Sequence, residues 1–146
     1  MNLFSAMEII ASGLCAQRTR LNLVASNLAN AQTTRTPEGG PYRRRDPVFV
    51  TSPVTTRFQE LRGDPLAQHA SLVDVSEVAV DDTPPRMVYD PEHPDADTLG
   101  YVQMPNINVI EEMVNMMTAS RAYEAGVTAM QTVRSLAEAA LRLGQS

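Results

Sequence analysis

The feature that most restricts what this chain can fold into is a regular apolar stripe at each of its ends. At the N-terminus the stripe residues follow one another at alternating steps of four and three, and Gln17 is the one polar member. That spacing is typical of a helix that packs on another helix as a left-handed coiled coil. It predicts an N-terminal helix that ends between Asn30 and Thr33, before the breaker-rich "TPEGGPY". The apolar members are Leu3, Met7, Ile10, Leu14, Leu21, Val24 and Leu28.

A second stripe runs through the C-terminal segment, with Ser120 as its polar step and a slight shift in phase after Met130. We predict that this helix starts after "MPNIN", because Asn108 is a suitable N-cap and Glu111 completes a capping box three residues later. Glu111 and Glu112 in the first turn also suit the helix dipole. The apolar members are Val109, Met113, Met116, Tyr123, Val127, Met130, Val133, Ala137 and Leu141.

The segment between the stripes has a different composition. Nine of the ten prolines lie within residues 36–94, and the tenth is Pro105. The runs "DPVFVTS", "SLVDVSEVAV" and "PRMVYDP" predict short strands on long connections. The sequence therefore predicts an α+β fold that is mainly α. Long N- and C-terminal helices (1–31 and 106–144) pair as one antiparallel coiled-coil domain, with a small Pro-rich β and loop segment (32–105) between them.

Two helices alone cannot cover both stripes, because each helix buries only one side of the other and leaves apolar surface exposed. We therefore expect other subunits to cover the remainder, and we predict that the apolar stripe residues are subunit-packing residues. A small helical core that is capped by the middle segment is the alternative.

Two asparagines, Asn27 and Asn30, lie near the end of the N-terminal helix. Asparagine is a poor helix former and is costly to bury without partners. One interpretation is that both amides fix the register of packed helices. The other is that Asn30 is a C-cap and Asn27 is solvated. The residues alone leave both interpretations open.

The charge pattern disfavours a general nucleic-acid binder, because the formal net charge is −5. Three adjacent arginines, Arg43, Arg44 and Arg45, are the exception. We predict that they form ion pairs between subunits, and the acidic stretch 74–97 is the complementary surface in this chain or in a neighbour.

Catalytic and metal-binding patterns are weak. The loop "YDPEHPDAD" echoes part of a calcium loop, but the fifth and twelfth positions are occupied by Leu99 and Asn106. The single Cys15 lies in an apolar helical pattern, where we expect a small buried hydrophobe. His69 and His93 lie far from Cys15 in the sequence, and no Ser–His–Asp, Cys–His or glycine-rich phosphate pattern is present. We predict no enzyme activity, no catalytic residue, no metal and no cofactor, and the alternative is a metal-dependent enzyme built on this loop.

Targeting features point to no cleaved leader. The first residues lack a basic n-region, and Glu8 interrupts the apolar run too early for a signal-peptide core. No apolar run is long enough to span a bilayer. We therefore expect a chain that is cytoplasmic or is exported by a route without a cleaved signal.

The motifs resemble those of a known family. "ASNLANAQTT" resembles the signature of the flagellar rod, hook and axial protein family, whose N-terminal helix typically ends in "ASNxANxxT". "NVIEEMVNMMTASRAYEAGV" is similar to the matching C-terminal helix, although the family usually has Asn at the position of Gly126. The segments "TRTPEGGPYRRRDPVF", "VYDPEHPDAD" and "GYVQMPNINVIEEM" narrow the resemblance to a proximal-rod member.

The resemblance implies a structural subunit of the proximal rod of the bacterial flagellar basal body. Its terminal helices would assemble into the helical drive shaft that crosses the periplasm and transmits motor torque. The implied partners are the rod proteins FlgB, FlgF and FlgG, the adaptor FliE, copies of the chain itself and the flagellar type III export apparatus. The resemblance favours the register-fixing interpretation of Asn27 and Asn30. Another axial subunit or a coiled-coil export adaptor is the alternative.

Overall fold

The computed structural model describes residues 3–53 and 71–143. The protein is α+β and mainly α, with one long helix at each end, which confirms the predicted fold class at that level. The elements in chain order are helix α1 (Leu3–Ala29), strands β1 (Arg45–Pro53), β2 (Ser71–Val80), β3 (Arg86–Tyr89) and β4 (Tyr101–Met104), and helix α2 (Val109–Leu143).

The two helices pack side by side and run in opposite directions. Asn27 near the end of α1 bonds to Glu112 near the start of α2. Further along, Leu14 of α1 lies against Gly126 of α2, where a Cβ atom would come within 2.9 Å of the Leu14 Cδ2. The missing side chain at Gly126 thus allows a close approach of the helices.

The helix ends follow from local capping. The Asn30 side chain donates to the Ser26 carbonyl over 2.9 Å, so α1 ends at Ala29, slightly before the predicted range. At the start of α2 the Ile110 amide donates to Asn108 Oδ1 over 3.1 Å, which confirms Asn108 as the N-cap.

The strands form two separate antiparallel pairs, β1 with β2 and β3 with β4. The β1–β2 pair runs from Arg45 opposite Val80 to Pro53 opposite Ser71, with a register shift between Val48 and Phe49. The three predicted strand regions are confirmed, and β4 is an additional short strand. His69 lies outside the described residues.

Helix α1 is covered from two sides. The β1–β2 pair lies against it, and the Val73 amide donates to Ser12 Oγ over 3.2 Å. The buried apolar residues are few and come from both helices, the loop before β1 and strand β4: Ala16, Val24, Tyr42, Val102 and Ala119. The core of the described residues is therefore small.

The inner face of α2 differs from the predicted stripe in its first two turns. Val109 and Met113 are 47% and 55% exposed, whereas Glu112 and Ala119 are buried. Val109 and Met113 thus lie on the exposed side of α2 in the single chain, where Glu112 takes the inward position and bonds to Asn27. Their part in packing against other subunits is a separate matter and stays a prediction.

Cys15 also departs from expectation, since the structure has it exposed. The covered faces of α1 carry the adjacent Leu14 and Ala16, and Cys15 projects from the remaining face. Within 3–53 and 71–143, neither helix has a stretch apolar and long enough to cross a bilayer.

Candidate functional site

Four parts of the chain meet in a cluster of buried polar groups, which we call the polar junction. The end of α1 contributes Asn27, the loop before β1 contributes Tyr42 and Arg44, strand β1 contributes the Arg45 backbone, and the start of α2 contributes Glu112. Asn27 is 0% exposed and Glu112 is 1% exposed. Such groups are tolerated inside a protein only when their hydrogen bonds are made.

The Asn27 amide uses its full bonding capacity. Its nitrogen donates to the Arg45 carbonyl over 2.9 Å and to Glu112 Oε2 over 3.1 Å. Its oxygen accepts from the Tyr42 hydroxyl over 3.1 Å and from the Arg45 amide over 3.0 Å. An amide has two donors and two acceptor sites, so no other side chain of this size could make the same four bonds.

Glu112 is held by charge as well as by the amide. Arg44 Nε donates to Glu112 Oε1 over 2.7 Å, and the Arg44 guanidinium also pairs with Asp46. Partial burial acts to lower the pKa of Arg44, but the hydrogen bond to Glu112 and the charges of Asp46 and Glu112 outweigh it and raise that pKa. Arg44 is therefore a permanent positive charge beside the buried carboxylate.

Tyr42 closes the junction from the loop side. Its hydroxyl lies 3.2 Å from Ser26 Oγ, in addition to its bond to Asn27. The Arg45 guanidinium carbon lies 5.7 Å from the centre of the Tyr42 ring, within the range of a cation–π contact. The loop is thus attached to the last turn of α1 through several groups.

The two asparagines therefore have different roles. Among the described residues, the Asn30 side chain bonds to its near neighbours Ser26 and Thr33, as expected of a residue that caps a helix end. Asn27 is buried rather than solvated, and it joins α1 to a glutamate 85 residues away. Within this chain the bond connects the last turns of α1 to the first turn of α2. A role for either residue between subunits stays a prediction.

The three adjacent arginines have separate surroundings inside the chain. Arg43 pairs with Asp82 over 3.0 Å at an exposed site, where the side chains are 64% and 89% exposed. Arg44 belongs to the polar junction, and Arg45 lies over the Tyr42 ring. An exposed ion pair such as Arg43–Asp82 adds little stability. Of the ion pairs made by these arginines, those of Arg44 therefore contribute most to the stability of the fold.

The acidic loop uses its carboxylates to shape its own turns. Asp97 Oδ1 accepts from the Leu99 and Tyr101 amides over 2.8 Å and 2.9 Å. The Asp95 amide donates to His93 Nδ1, and Asp95 Oδ2 accepts from the Thr34 hydroxyl over 2.7 Å. In the part of the chain that the structure describes, no three His, Cys, Asp or Glu side chains are grouped so as to hold a metal ion.

Among the remaining stripe residues only Val24 is fully buried. Val24 is 2% exposed, and Leu141 at the far end of α2 is 68% exposed. The others are half-buried in the single chain: Leu3, Met7, Ile10, Leu14, Leu21, Leu28, Met116, Tyr123, Val127, Met130, Val133 and Ala137. Both helices therefore keep apolar surface in contact with solvent.

Sequence reasoning missed Glu112 and Tyr42 as parts of one site. Glu112 was explained by the helix dipole alone. One signal was available, because Glu112 lies four residues before Met116 and therefore on the same side of the helix as that stripe residue. A charged residue on the packed side of a helix is costly unless an opposite charge and a polar group face it.

Two known protein families match the two ends of the chain. Residues 7–35 match the family described as "Flagella basal body rod protein". Residues 98–143 match the family described as "Flagellar basal body rod FlgEFG protein C-terminal". The first match contains Asn27, and the second contains Glu112.

Similar proteins cover the whole length. A protein of Escherichia coli O6:H1 named flagellar basal-body rod protein FlgC is 42% identical, covering 99% of this chain and 100% of its own. Proteins of the same name from Borreliella burgdorferi and Bacillus subtilis are 40% and 37% identical. The alignments cover 99% of this chain in both cases, with 99% of the first relative and 100% of the second.

Proposed function

This chain belongs to the FlgC family of flagellar basal-body rod proteins, and we propose that it forms the proximal part of the rod by packing its terminal helices against those of its neighbours. It is a structural subunit of the rod of the basal body, in a family of structural proteins rather than enzymes. The observation that carries the proposal is the end-to-end match, which covers 99% of this chain and 100% of the Escherichia coli protein.

The helix pair supports a proposed division of the chain into an inner helical domain and an outer segment. In the proposal, residues 1–31 and 106–144 form one coiled-coil domain that lies in the inner wall of the rod. Residues 32–105 form a small outer segment. The polar junction supports this arrangement, because Tyr42 and Arg44 attach the start of the outer segment directly to both helices.

The exposed apolar surface supports assembly with neighbours. Ile110, Val114 and Met117 of α2 are each more than half exposed, at 73%, 57% and 57%. Contiguous apolar patches on a surface mark places where partners bind. The proposed partners are FlgB, FlgF and FlgG, the adaptor FliE, further copies of this chain and, during secretion, the flagellar type III export apparatus.

Secretion and location belong to the same proposal. The chain leaves the cytoplasm through the type III apparatus without a cleaved signal and takes its place in the rod where the rod crosses the periplasm. There it serves as a segment of the drive shaft that transmits motor torque. The stripe residues, Asn27 and Asn30 are proposed to pack between subunits, and Arg43–Arg45 to form ion pairs across the same contacts.

A different axial subunit is the second candidate. The match of residues 98–143 to the FlgEFG C-terminal family favours it on that segment alone. The FlgC relatives match both helices and the middle segment together, so the proximal position is the better supported one. A coiled-coil export adaptor has no counterpart among these relatives.

Deletion and re-expression of the gene in its own bacterium test the proposal. We expect the deletion to abolish swimming and the re-expressed chain to restore it. An epitope-tagged copy should then be recovered in purified basal bodies, next to the inner-membrane end of the rod. Recovery of the tag only from the cytoplasm would contradict a rod subunit and would favour the adaptor.

A matched pair of variants connects this test to the helices. Tyr123→Ala removes a half-buried aromatic side chain on the inner face of α2, and we expect secretion without swimming. Ala122→Ser changes the exposed residue beside it and should leave swimming intact. Equal swimming of both variants would contradict assembly through this face.

A further inference from the structure

The methionines that the structure describes fall into two groups by their exposure. Three are at least half exposed, namely Met87 of β3 at 50%, and Met113 and Met117 of α2 at 55% and 57%. The others are half-buried: Met7, Met104, Met116 and Met130. Methionine oxidation requires that a small oxidant reaches the thioether sulfur, so the two groups should differ in reactivity.

The two exposed methionines of α2 are neighbours on one face of the helix. Met113 and Met117 are four residues apart, a spacing that places their side chains side by side. Ile110 and Val114 on the same face are 73% and 57% exposed, so the surface around the two sulfur atoms is apolar and open to solvent. Oxidation of a thioether turns an apolar side chain into a polar one, so it would change the character of this face.

Met116 lies on the inner side of the same helix. It follows the buried Glu112 by four residues and precedes the buried Ala119 by three, and it is half-buried itself. Met116 and Met117 are adjacent in the sequence but differ in exposure. The helix thus contains its own comparison, with the same residue type in the same turn on a covered and on an open side.

We propose that Met113 and Met117 form a paired oxidation site, at which a peroxide makes an apolar helix face polar without changing the fold. At each sulfur a lone pair attacks one oxygen of hydrogen peroxide, so that an S–O bond forms and the O–O bond breaks. The proton of the attacked oxygen passes to the other oxygen, which leaves as water. The thioether is oxidised by two electrons to a sulfoxide, and the peroxide is reduced.

The effect of this modification differs between the single chain and the rod. In the single chain both side chains are more than half exposed, so water can solvate the new oxygens and the buried contacts of α2 are kept. A neighbour that packs on this face would have to desolvate two sulfoxides, which is costly without hydrogen-bond partners. This consequence rests on the proposed function. The inference goes beyond it by naming a chemical change of the chain before assembly, which methionine sulfoxide reductases can reverse.

Peroxide treatment of the purified full-length chain tests the site. Dilute hydrogen peroxide is added, and the sulfoxide at each methionine is followed over time by mass spectrometry of peptides. We expect Met113 and Met117 to oxidise at least about threefold faster than the half-buried Met116. The oxidised chain should keep its helical circular dichroism signal, and treatment with methionine sulfoxide reductases should restore the original mass.

Met87 provides the matched control for the effect on assembly. It is exposed to a similar degree but lies on β3, in the outer segment. Glutamine serves as a stand-in for methionine sulfoxide, since it is polar and of similar length. We expect Met113→Gln together with Met117→Gln to lower recovery of the chain in basal bodies at least about tenfold, because these polar groups would be buried unpaired. Met87→Gln should leave recovery unchanged.

Three results would overturn the inference. Equal oxidation rates at Met116 and Met117 would show that exposure on this face does not determine reactivity. Loss of the helical signal on oxidation would show that the modification damages the fold. Recovery of the double glutamine variant at the level of Met87→Gln would show that a polar face is tolerated in assembly. The proposed function is tested separately, because recovery of the unmodified chain in basal bodies depends on none of these results.

Discussion

Replacing Asn27 by alanine is the most direct test of the polar junction. The substitution removes four hydrogen bonds and leaves the groups that made them in place. Those groups are the amide and carbonyl of Arg45, the Tyr42 hydroxyl and the Glu112 carboxylate. The helix itself should gain slightly, because alanine is the better helix former, so any loss comes from the junction.

The size of the loss follows from the partners. A hydrogen bond to an ionised group contributes about 1.5–3 kcal/mol, and a neutral one contributes about 0.5–1.5 kcal/mol. Asn27 makes one bond to an ionised group and three neutral bonds, and the sum of their contributions is an upper limit for the loss of stability. The actual loss is smaller because water can reach the Arg45 backbone once the side chain is shortened. We expect a loss of about 3–5 kcal/mol in the free energy of unfolding. This is a large part of the roughly 5–15 kcal/mol that is typical of a domain.

Urea unfolding followed by circular dichroism measures this loss, with Asn30→Ala as the matched control. Asn30 has the same side chain three residues later, but its bonds are to Ser26 and Thr33 at a half-exposed helix end. We expect Asn30→Ala to cost about 1 kcal/mol. If the two variants differ by less than about 1 kcal/mol, the buried network does not determine the stability of the helix pair.

The same titration checks two further predictions. Arg44→Met leaves a buried carboxylate without its charge partner and should lower the free energy of unfolding by about 3–5 kcal/mol. Arg43→Met breaks an exposed pair and should lower it by less than about 1 kcal/mol. Equal losses would contradict the assigned role of Arg44. In Gly13→Ala the new methyl group meets open space, and the substitution should stabilise α1 by about 1 kcal/mol. In Gly126→Ala the new methyl group meets Leu14, and this contact should cancel the gain. An equal gain at both positions would show that the helices are not in close contact at Gly126.

The terminal helices were predictable because their signals are local. Asn108 precedes a regular apolar repeat, and its side chain caps the Ile110 amide as the sequence indicates. The end of α1 and the start of α2 lie close to breakers and caps, which act over one turn. The β-branched runs predicted three of the four strands for the same reason. Strand β4 has only four residues, of which Val102 alone is buried, so its pattern was too short to detect.

The polar junction was not predictable, because its contacts are distant in sequence. Glu112 bonds to residues 68 and 85 positions away, and no spacing rule connects them. Asn27 and Asn30 are the same residue type on the same helix, and the contacts of Asn27 with Tyr42 and with Glu112 distinguish them. The outward rotation of Met113 follows from this long-range pairing and not from the repeat.

The antiparallel helix pair also has a mechanical consequence. If α1 slid along α2 by one turn, about 5.4 Å, Asn27 would lose its bond to Glu112. Arg44, in the loop attached to α1, would move away from the same carboxylate. Apolar stripes alone resist such sliding weakly, since each side chain finds a similar neighbour one turn later. The Asn27 amide and the Arg44–Glu112 ion pair have no equivalent partners one turn away, so they oppose sliding of one helix along the other. A subunit built this way is stiff along its axis, the direction in which a load applied to one helix reaches the other.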